Sequence, residues 1–266
     1  LIKRVLSFML VFTVIFVCSC NNKPGDDKKP ELKDIIIGSD EYRPYIFNDE
    51  NGNFSGIDVE LATEAFARMG YRAVFKKIQW SVKNELLESG EINCLWGSFT
   101  MTGREDLYTW AGPYLNSVQS ILVPFDSPIY TINDLNGKSI ALQATSKPDE
   151  YFSELLNENK IKLDYLYCFT DVNNVFAALR KGYADAVAGH KTMLEEAIKI
   201  YPENSYRFLK ENIAAVQIGV AFLKGTNQKI ADELTVKLND MLSDGTTRTI
   251  LEKYGLDFNL ATEGLI

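Results

Sequence analysis

The chain has 266 residues, 46% of them hydrophobic and 12% aromatic, so it can bury a core of ordinary size. Its formal net charge is −8 and no basic stripe runs along it, which excludes nucleic acid as an expected partner. It has a single histidine, and beyond the N-terminal segment only two widely separated cysteines, so we expect neither a transition-metal site nor a cofactor.

The first twenty residues have the pattern of an export signal. A positive pair, Lys3-Arg4, precedes an apolar run over residues 5–17 that is too short for a membrane span. The run ends in Val17-Cys18-Ser19-Cys20, which resembles a bacterial lipobox and implies cleavage before Cys20 and diacylation of its thiol. An ordinary cleaved signal with incidental cysteines is the alternative. We predict a signal peptide over residues 1–19 and a lipid anchor at the outer side of the cell membrane.

Residues 20–32 are polar, charged and rich in Pro and Gly, which is typical of a flexible tether. About 235 residues remain, enough for one large domain or two modest lobes. We therefore expect the folded part outside the membrane, because none of its segments is apolar enough to cross one.

Strand and helix patterns alternate along this remainder, which favours an α/β fold. Predicted strands cover residues 35–37, 73–78, 92–96, 138–142, 163–169, 184–188 and 218–222, and a hairpin turns at Asn51-Gly52. Predicted helices begin at Asp58, Val82, Ser146 and Asp171, and two more follow the last strand, the second capped by Thr246. Cys94 and Cys168 fall in apolar, strand-like runs and are expected to be inert core residues.

Two βα sets followed by a final strand and helices predict a chain that crosses between two lobes twice. We expect lobe 1 to comprise residues 33–117 and 218–266, and lobe 2 residues 118–217. The two crossovers would then form a hinge beside a cleft.

The segment from Gly97 to Glu105 carries the clearest chemical signal. Thr102 and Glu105 have the spacing of a capping box, which predicts a helix with Thr102 as N-cap and Arg104 in its first turn. A cation there opposes the helix dipole unless an anion binds at the same end. The alternative is an exposed Arg104 paired with Glu105 or Asp106, and the spacing alone leaves both open.

Nine segments resemble, in their order and spacing, the family 3 extracellular solute-binding proteins, which serve polar-amino-acid ABC transporters. The resemblance covers residues 33–257. The segments are residues 38–45, 56–62, 90–93, 97–105, 110–114, 135–140, 182–186, 244–246 and 252–255. The resemblance implies an α/β, two-lobed fold of the type II periplasmic-binding-protein kind, with two hinge crossovers and a ligand cleft between the lobes.

The resemblance also implies the residues that contact the ligand. The position of Arg104 binds the ligand α-carboxylate, and aromatic residues at the positions of Tyr42 and Trp80 cover the ligand. The remaining implied contacts are Asp40, Gly97, Ser98, Gln143 and Ser146, with Lys147 standing nearby. The alternatives are half-buried core aromatics for Tyr42 and Trp80, a turn cap for Asp40 and a plain helix cap for Ser146.

Three candidate ligand contacts depart from the family pattern. Met101 replaces a common threonine, and Phe99 lies where a hydroxyl is frequent. His190 matches a position that is often an aspartate gripping the α-ammonium. A neutral imidazole would forfeit the charge pairing, and an imidazolium would repel an ammonium. The expected ligand is therefore a polar amino acid, a modified amino acid or another small carboxylate.

The expected function is that of a non-enzymatic, lipid-anchored, monomeric substrate-binding protein that closes around its solute and delivers it to an ABC transporter permease. One alternative is a periplasmic dehydratase of the cyclohexadienyl or arogenate type, which needs a carboxylic acid poised as general acid, and none stands out. The other is a ligand-sensing subunit, which we expect to signal through a separate partner.

Overall fold

The computed structural model describes residues 32–265. The predicted signal peptide, the lipidation site at Cys20 and most of the predicted tether lie outside the described residues. In the part that the structure describes, no helix is both long enough and apolar enough to span a bilayer.

Strands and helices alternate through the described residues, as the sequence pattern predicts. The strands are β1 (Lys33–Ser39), β2 (Phe47–Asn48), β3 (Phe54–Ser55), β4 (Tyr71–Lys77), β5 (Cys94–Leu95), β6 (Tyr108–Pro124), β7 (Ser139–Gln143), β8 (Tyr165–Phe169), β9 (Ala186–His190), β10 (Tyr206–Phe208) and β11 (Ala214–Leu223). The helices are α1 (Ile57–Arg68), α2 (Lys83–Glu88), α3 (Lys147–Asn157), α4 (Val172–Arg180), α5 (Lys191–Ile198), α6 (Gln228–Ser243), α7 (Thr246–Lys253) and α8 (Phe258–Thr262). Short 3-10 turns lie at Trp80–Val82 and Ile132–Leu135.

Nine of these strands form one mixed sheet in the order β4-β1-β5-β11-β6-β9-β7-β8, with β10 paired to β6. The pairs β1·β4, β1·β5, β7·β8 and β7·β9 are parallel, whereas the pairs in the middle of the sheet are antiparallel. We call β1, β4, β5 and the parts of β6 and β11 beside them the first strand group. The second strand group consists of β7, β8, β9, β10 and the end of β6.

The long strands β6 and β11 connect the two groups. They pair antiparallel from Tyr108 opposite Leu223 to Gln119 opposite Ala214, with a bulge between Ile218 and Val220. The far end of β6 then pairs with β9, where Gln119 lies opposite His190. The chain thus leaves the first group along β6 and returns along β11, which is the double crossing that the sequence predicts.

The helices cover the sheet with apolar faces of helical period. In α1 the buried side chains include Leu61, Ala65 and Phe66, which join a core that also contains Ile37 and Trp96. The second strand group has a core of its own around residues such as Ile140, Leu142 and Phe152. Each group therefore buries apolar surface, and this fixes the residues that face the space between the two groups.

The predicted helix caps at Ser146 and Asp171 are confirmed, and those at Asp58 and Thr246 are wrong. The side chains of Ser146 and Asp171 accept hydrogen bonds from Asp149 N and Asn173 N at the starts of α3 and α4. Asp58, in contrast, lies inside the first turn of α1, and Gly245 rather than Thr246 precedes α7. The carboxylate of Asp58 is drawn into the core because it accepts from Ser98 N at 2.7 Å and bonds the Tyr114 hydroxyl at 2.9 Å.

The two cysteines of the described region differ in their surroundings. Cys94 is buried in β5, as expected, but Cys168 is exposed on β8. The prediction of a core position is wrong for Cys168 because β8 is the edge strand of the sheet, and apolar residues in an edge strand need not be covered. Partial burial of the Cys168 sulfur and the neighbouring Asp149 carboxylate raise the pKa of this thiol to about 12.

Candidate functional site

A cavity of about 30 Å³ lies between the two strand groups. All the predicted contact residues except Met101 line it: Asp40, Tyr42, Trp80, Gly97, Ser98, Phe99, Arg104, Gln143, Ser146, Lys147 and His190. A larger cavity of about 790 Å³ beside the crossover strands contains none of them. Two lysines on its α5 wall pair with glutamates of the same helix, Lys199 with Glu196 at 2.6 Å and Lys191 with Glu195 at 3.8 Å. The smaller cavity is therefore the candidate site.

Arg104 lies in a turn between β5 and β6, and the helix predicted after Thr102 does not form. Gly103 turns the chain with φ +74°, and the Thr102 hydroxyl accepts from Gln217 N at 2.8 Å instead of capping a helix. The Thr102 hydroxyl, which would have capped a helix, thus pairs with the crossover strand β11 instead. The argument from an opposed helix dipole consequently fails for Arg104, although its side chain does reach the cavity.

The guanidinium of Arg104 is 4% exposed and is paired with a carboxylate from the second strand group. Its Nε and Nη2 atoms donate to Glu150 Oε1 at 2.8 and 2.5 Å, which differs from the predicted partners Glu105 and Asp106. Glu150 Oε2 accepts from Lys147 Nζ at 3.2 Å. The two remaining contacts of the guanidinium are longer, Nη1 to Thr100 O at 3.4 Å and Nη2 to Thr145 O at 3.5 Å.

A second buried cation, Lys83, lies beside Arg104. Its Nζ donates to Thr145 Oγ1 at 2.8 Å and lies 5.0 Å from the centre of the Trp80 ring. Burial and the nearby charge of Arg104 lower the pKa of Lys83 to about 8. Thr145, with φ +59°, therefore accepts from both cations, one through its hydroxyl and the other through its carbonyl.

Aromatic rings and tight backbone form the wall next to these cations. Trp80 and Phe99 are buried edge to face with ring centres 5.0 Å apart, and the Arg104 guanidinium lies 5.1 Å from the Phe99 ring centre. A β-carbon at position 97 would overlap Ser39 Oγ, so a larger residue there would require the Ser39 side chain to move. Ser98 has φ +50° and is held by the Asp58 carboxylate through its backbone N–H.

Asp40 forms a polar end of the cavity with Gln143. The Gln143 amide donates to Asp40 Oδ2 across the space between the strand groups. Burial raises the pKa of the Asp40 carboxyl to about 7, and the hydrogen bond from Gln143 opposes that rise. Asp40 is thus a partly exposed carboxyl without a cation bonded to it, and it can accept a hydrogen bond or a positive charge from a ligand.

His190 lies in another polar region, where its neighbours are neutral. Its Nδ1 is 2.7 Å from Ser117 Oγ, and its Nε2 is 2.9 Å from Gln119 Nε2. Tyr42 packs edge-on against the ring, and its hydroxyl accepts from the His190 backbone N–H at 3.3 Å. Burial and the charge of Arg104 lower the pKa of His190 to about 3, so the imidazole is neutral at physiological pH.

Sequence reasoning missed several residues at this site. Thr100 and Gln119 line the cavity, while Lys83, Thr145 and Glu150 join its two sides. Ser117 and Gln119 carried a usable signal, because two polar residues at alternate positions of an apolar strand share one face. The buried Oε1 of Gln119 has no hydrogen-bond partner among the described residues, so the cavity wall offers an acceptor for a donor on a ligand.

Comparison with known proteins agrees with this geometry. The model of the family "Bacterial extracellular solute-binding proteins, family 3" matches residues 35–257. The L-cystine-binding protein TcyA of Bacillus subtilis is 23% identical over 270 residues, covering 95% of this chain and 97% of that protein. A probable amino-acid ABC transporter-binding protein of Haemophilus influenzae is 24% identical over 266 residues, covering 96% of this chain and 98% of that protein.

Among solved structures, an ancestral arginine-binding protein bound to arginine superposes with a TM-score of 0.75 at 25% identity, covering 84% of this chain and 98% of that one. The mixed α/β, two-lobed fold of type II periplasmic binding proteins is therefore the fold of this chain. These relatives are binding proteins rather than enzymes.

Proposed function

The chain belongs to the bacterial extracellular solute-binding proteins, family 3, and on that premise we infer that it captures a small carboxylate-bearing solute, an amino acid or a derivative, for an ABC transporter. The observation that carries this proposal is Arg104, a buried cation on the wall of a cavity between two lobes. A guanidinium offers a carboxylate two parallel, charge-assisted hydrogen bonds. The similar proteins that bind cystine or arginine support the amino-acid class.

The polar groups around Arg104 fit the rest of such a solute. The Thr100 carbonyl accepts from the guanidinium, and the Thr100 hydroxyl lies next to Gln119 and His190. The unpaired Oε1 of Gln119 offers a neutral acceptor to a substituent next to the carboxylate. Trp80 and Phe99 provide apolar contact area with few rotatable bonds to freeze. Asp40, with its raised pKa, suits a hydrogen-bond donor or a cation at the far end of the solute. This arrangement accepts an amino acid as well as a derivative whose α-nitrogen is uncharged.

Lobe closure is the proposed mode of capture. We assign lobe 1 to residues 33–117 and 218–266 and lobe 2 to residues 118–217, joined by β6 and β11. A cavity of 30 Å³ has room for about two water molecules and is far below the usual size of a ligand site. A solute therefore enters when the lobes separate, docks on Arg104 and the aromatic wall, and is trapped when lobe 2 returns.

Delivery to a membrane permease completes the proposed function. The lipid predicted on Cys20 would keep the protein, expected to act as a monomer, at the outer side of the membrane near that permease. Detergent-phase partitioning of the wild-type protein expressed in a bacterial host, compared with Cys20→Ser, measures the anchor. If both forms stay in the aqueous phase, the lipid anchor is wrong while the binding function is unaffected.

Thermal-shift measurements test the function directly. We would screen the twenty standard L-amino acids, L-cystine and the N-acetyl derivatives of these amino acids against the wild type, Arg104→Ala and Arg104→Lys. A solute at about 100 times its Kd should stabilise the wild type by roughly 2.7 kcal/mol. Arg104→Ala should abolish that response, and Arg104→Lys should retain only part of it because lysine lacks the bidentate fork. An unchanged shift in Arg104→Ala contradicts the anion site.

Binding without turnover is part of the proposal. Incubating the wild type with prephenate or arogenate and following the aromatic product by ultraviolet absorbance provides the check. Product formation above that of a heat-inactivated sample would mean that the protein is a dehydratase and not solely a binding protein.

A further inference from the structure

Glu150 occupies the Nε/Nη2 edge of Arg104, one of the edges on which a guanidinium can hold a carboxylate, although Glu150 does not itself line the cavity. A single oxygen, Oε1, accepts from both Nε and Nη2 at 2.8 and 2.5 Å. The remaining guanidinium contacts are with the carbonyl oxygens of Thr100 and Thr145, at 3.4 and 3.5 Å. In this closed conformation the short charge-assisted bonds of Arg104 are therefore made by a carboxylate of the protein itself.

The two partners of this ion pair differ in burial. The Arg104 side chain is 4% exposed, whereas the Glu150 side chain is 45% exposed. A buried guanidinium without a counter-charge is costly, so Arg104 needs a carboxylate whenever the cavity is closed. Glu150 can turn into solvent at little cost, because a half-exposed carboxylate keeps most of its hydration.

Lys147 gives the displaced carboxylate a second partner. Its Nζ lies 3.2 Å from Glu150 Oε2, the oxygen that does not contact Arg104. Glu150 can therefore leave Arg104 without losing every ion pair, and Arg104 can receive another carboxylate without a net change in the charges beside it. The net charge next to the guanidinium is therefore unchanged, because one carboxylate leaves and another takes its place.

From this geometry we propose that Glu150 is a built-in competitor for the solute carboxylate, which the solute displaces from Arg104 when it binds. The proposal rests on the proposed function, since it concerns the same anion site. Its consequence is selectivity: a solute that offers only a carboxylate gains little by replacing Glu150, and a solute that also contacts the aromatic wall and Asp40 gains those contacts.

Isothermal titration calorimetry on Glu150→Gln tests the competitor role. The full-length wild type and the variant are titrated separately with L-arginine, L-histidine, L-cystine and every member of the screening panel that stabilises the wild type. We expect Glu150→Gln to bind about three- to tenfold more tightly, because a neutral amide competes less well for the guanidinium and the binding-competent fraction rises. The solute-free variant should also melt at a lower temperature than the wild type, since Arg104 loses its counter-charge.

Glu154→Gln is the matched control. Glu154 is exposed and lies one helical turn further along α3, and the substitution removes the same charge. It should leave the affinity within about twofold of the wild type. If Glu150→Gln binds more weakly than Glu154→Gln or equally well, Glu150 does not compete, and the proposal is overturned while the binding function stands. If no panel member binds to either the wild type or Glu150→Gln, the proposed function fails and the competitor role fails with it.

Discussion

At the residue scale, this protein places ionisable groups where burial changes their protonation. Asp58 is fully buried and Asp40 is partly exposed, and desolvation raises the pKa of both carboxyls to about 7. His190 shifts the other way, to a pKa of about 3, because burial and Arg104 disfavour the imidazolium. The Arg104 guanidinium lines the cavity and pairs with the Glu150 carboxylate, which also accepts from Lys147. The cavity therefore presents a guanidinium together with polar groups such as His190 that hydrogen bond in their neutral forms.

Asp58→Asn should make the protein less sensitive to rising pH. The folded state retains a proton on Asp58 that the unfolded state has lost, so the stability due to this group falls as the pH rises from about 4 to about 7. Asparagine can accept from Ser98 N through Oδ1, and the Tyr114 hydroxyl, which donates to Asp58 Oδ1, would accept from the asparagine Nδ2 instead. Urea unfolding at pH 5 and pH 7.5 should show a smaller loss of stability in the variant, by roughly 1 kcal/mol or more.

The control for this measurement is Asp106→Asn, which removes the same charge from an exposed turn. It should follow the wild-type pH dependence. His190 contributes with the opposite sign, because its folded-state pKa is depressed and its stabilising effect is lost as the pH falls from about 6.5 towards 3. Identical pH dependence of Asp58→Asn and the wild type would show that Asp58 is ionised in the folded protein at both pH values.

At the element scale, α3 matters most for the site because its first turn carries both Lys147 and Glu150 to Arg104. The helix begins where Ser146 caps it, with Pro148 pre-set for the first turn and Asp149 and Glu150 favourably placed near the positive end of the helix dipole. The strained Thr145, immediately before the cap, accepts from Lys83 and Arg104. The residues that start α3 thus position the side chains on one side of the cavity.

Ser146→Ala should destabilise the protein by about 1 kcal/mol, because Asp149 N loses its side-chain acceptor at the start of α3. Ser146→Asp retains an acceptor and should recover most of this loss. Urea unfolding at constant pH measures both. Equal stability of Ser146→Ala and the wild type would mean that the cap contributes nothing to the folding free energy.

At the scale of the whole molecule, contacts across the cavity connect the two lobes. Besides the Arg104–Glu150 pair, Lys83 bonds Thr145, Gln143 bonds Asp40, and His190 N bonds the Tyr42 hydroxyl. β6 and β11 provide the covalent connection beside these contacts. The polar groups that face the cavity therefore also hold the two lobes together. Opening the cleft breaks these hydrogen bonds and this ion pair and frees the groups for other partners.

Small-angle X-ray scattering of the wild type should show a smaller radius of gyration in saturating solute than without it. The physical reason is that lobe closure is favoured by contacts that the solute makes with both lobes. Arg104→Ala at the same solute concentration should retain the larger value. An unchanged radius of gyration for a wild type that binds the solute by calorimetry would contradict closure as the capture mechanism.

Much of the fold follows from local patterns in the sequence. Periodicity and turn residues predicted the alternation of strands and helices, and the caps at Ser146 and Asp171, because these features depend on neighbouring residues. The predicted binding residues came together around one cavity because they lie at strand ends and in the loops that follow them. Met101 did not, since its backbone pairs with Gln217 on β11 and its side chain lies towards Gly219.

The sequence by itself determined the α/β class and predicted the double crossing, because periodicity, turn chemistry and motif order are local or ordered along the chain. The spacing around Arg104 left its role open, and only the resemblance to the family implied that it binds a carboxylate. Only the tertiary structure decided the partners. The Thr102 hydroxyl could have capped a helix, but in the fold it accepts from Gln217 N on β11, a strand more than a hundred residues away in the sequence. The same holds for Arg104, whose counter-ion is Glu150 rather than the adjacent Glu105, because a buried charge pairs with whatever carboxylate the fold brings to it.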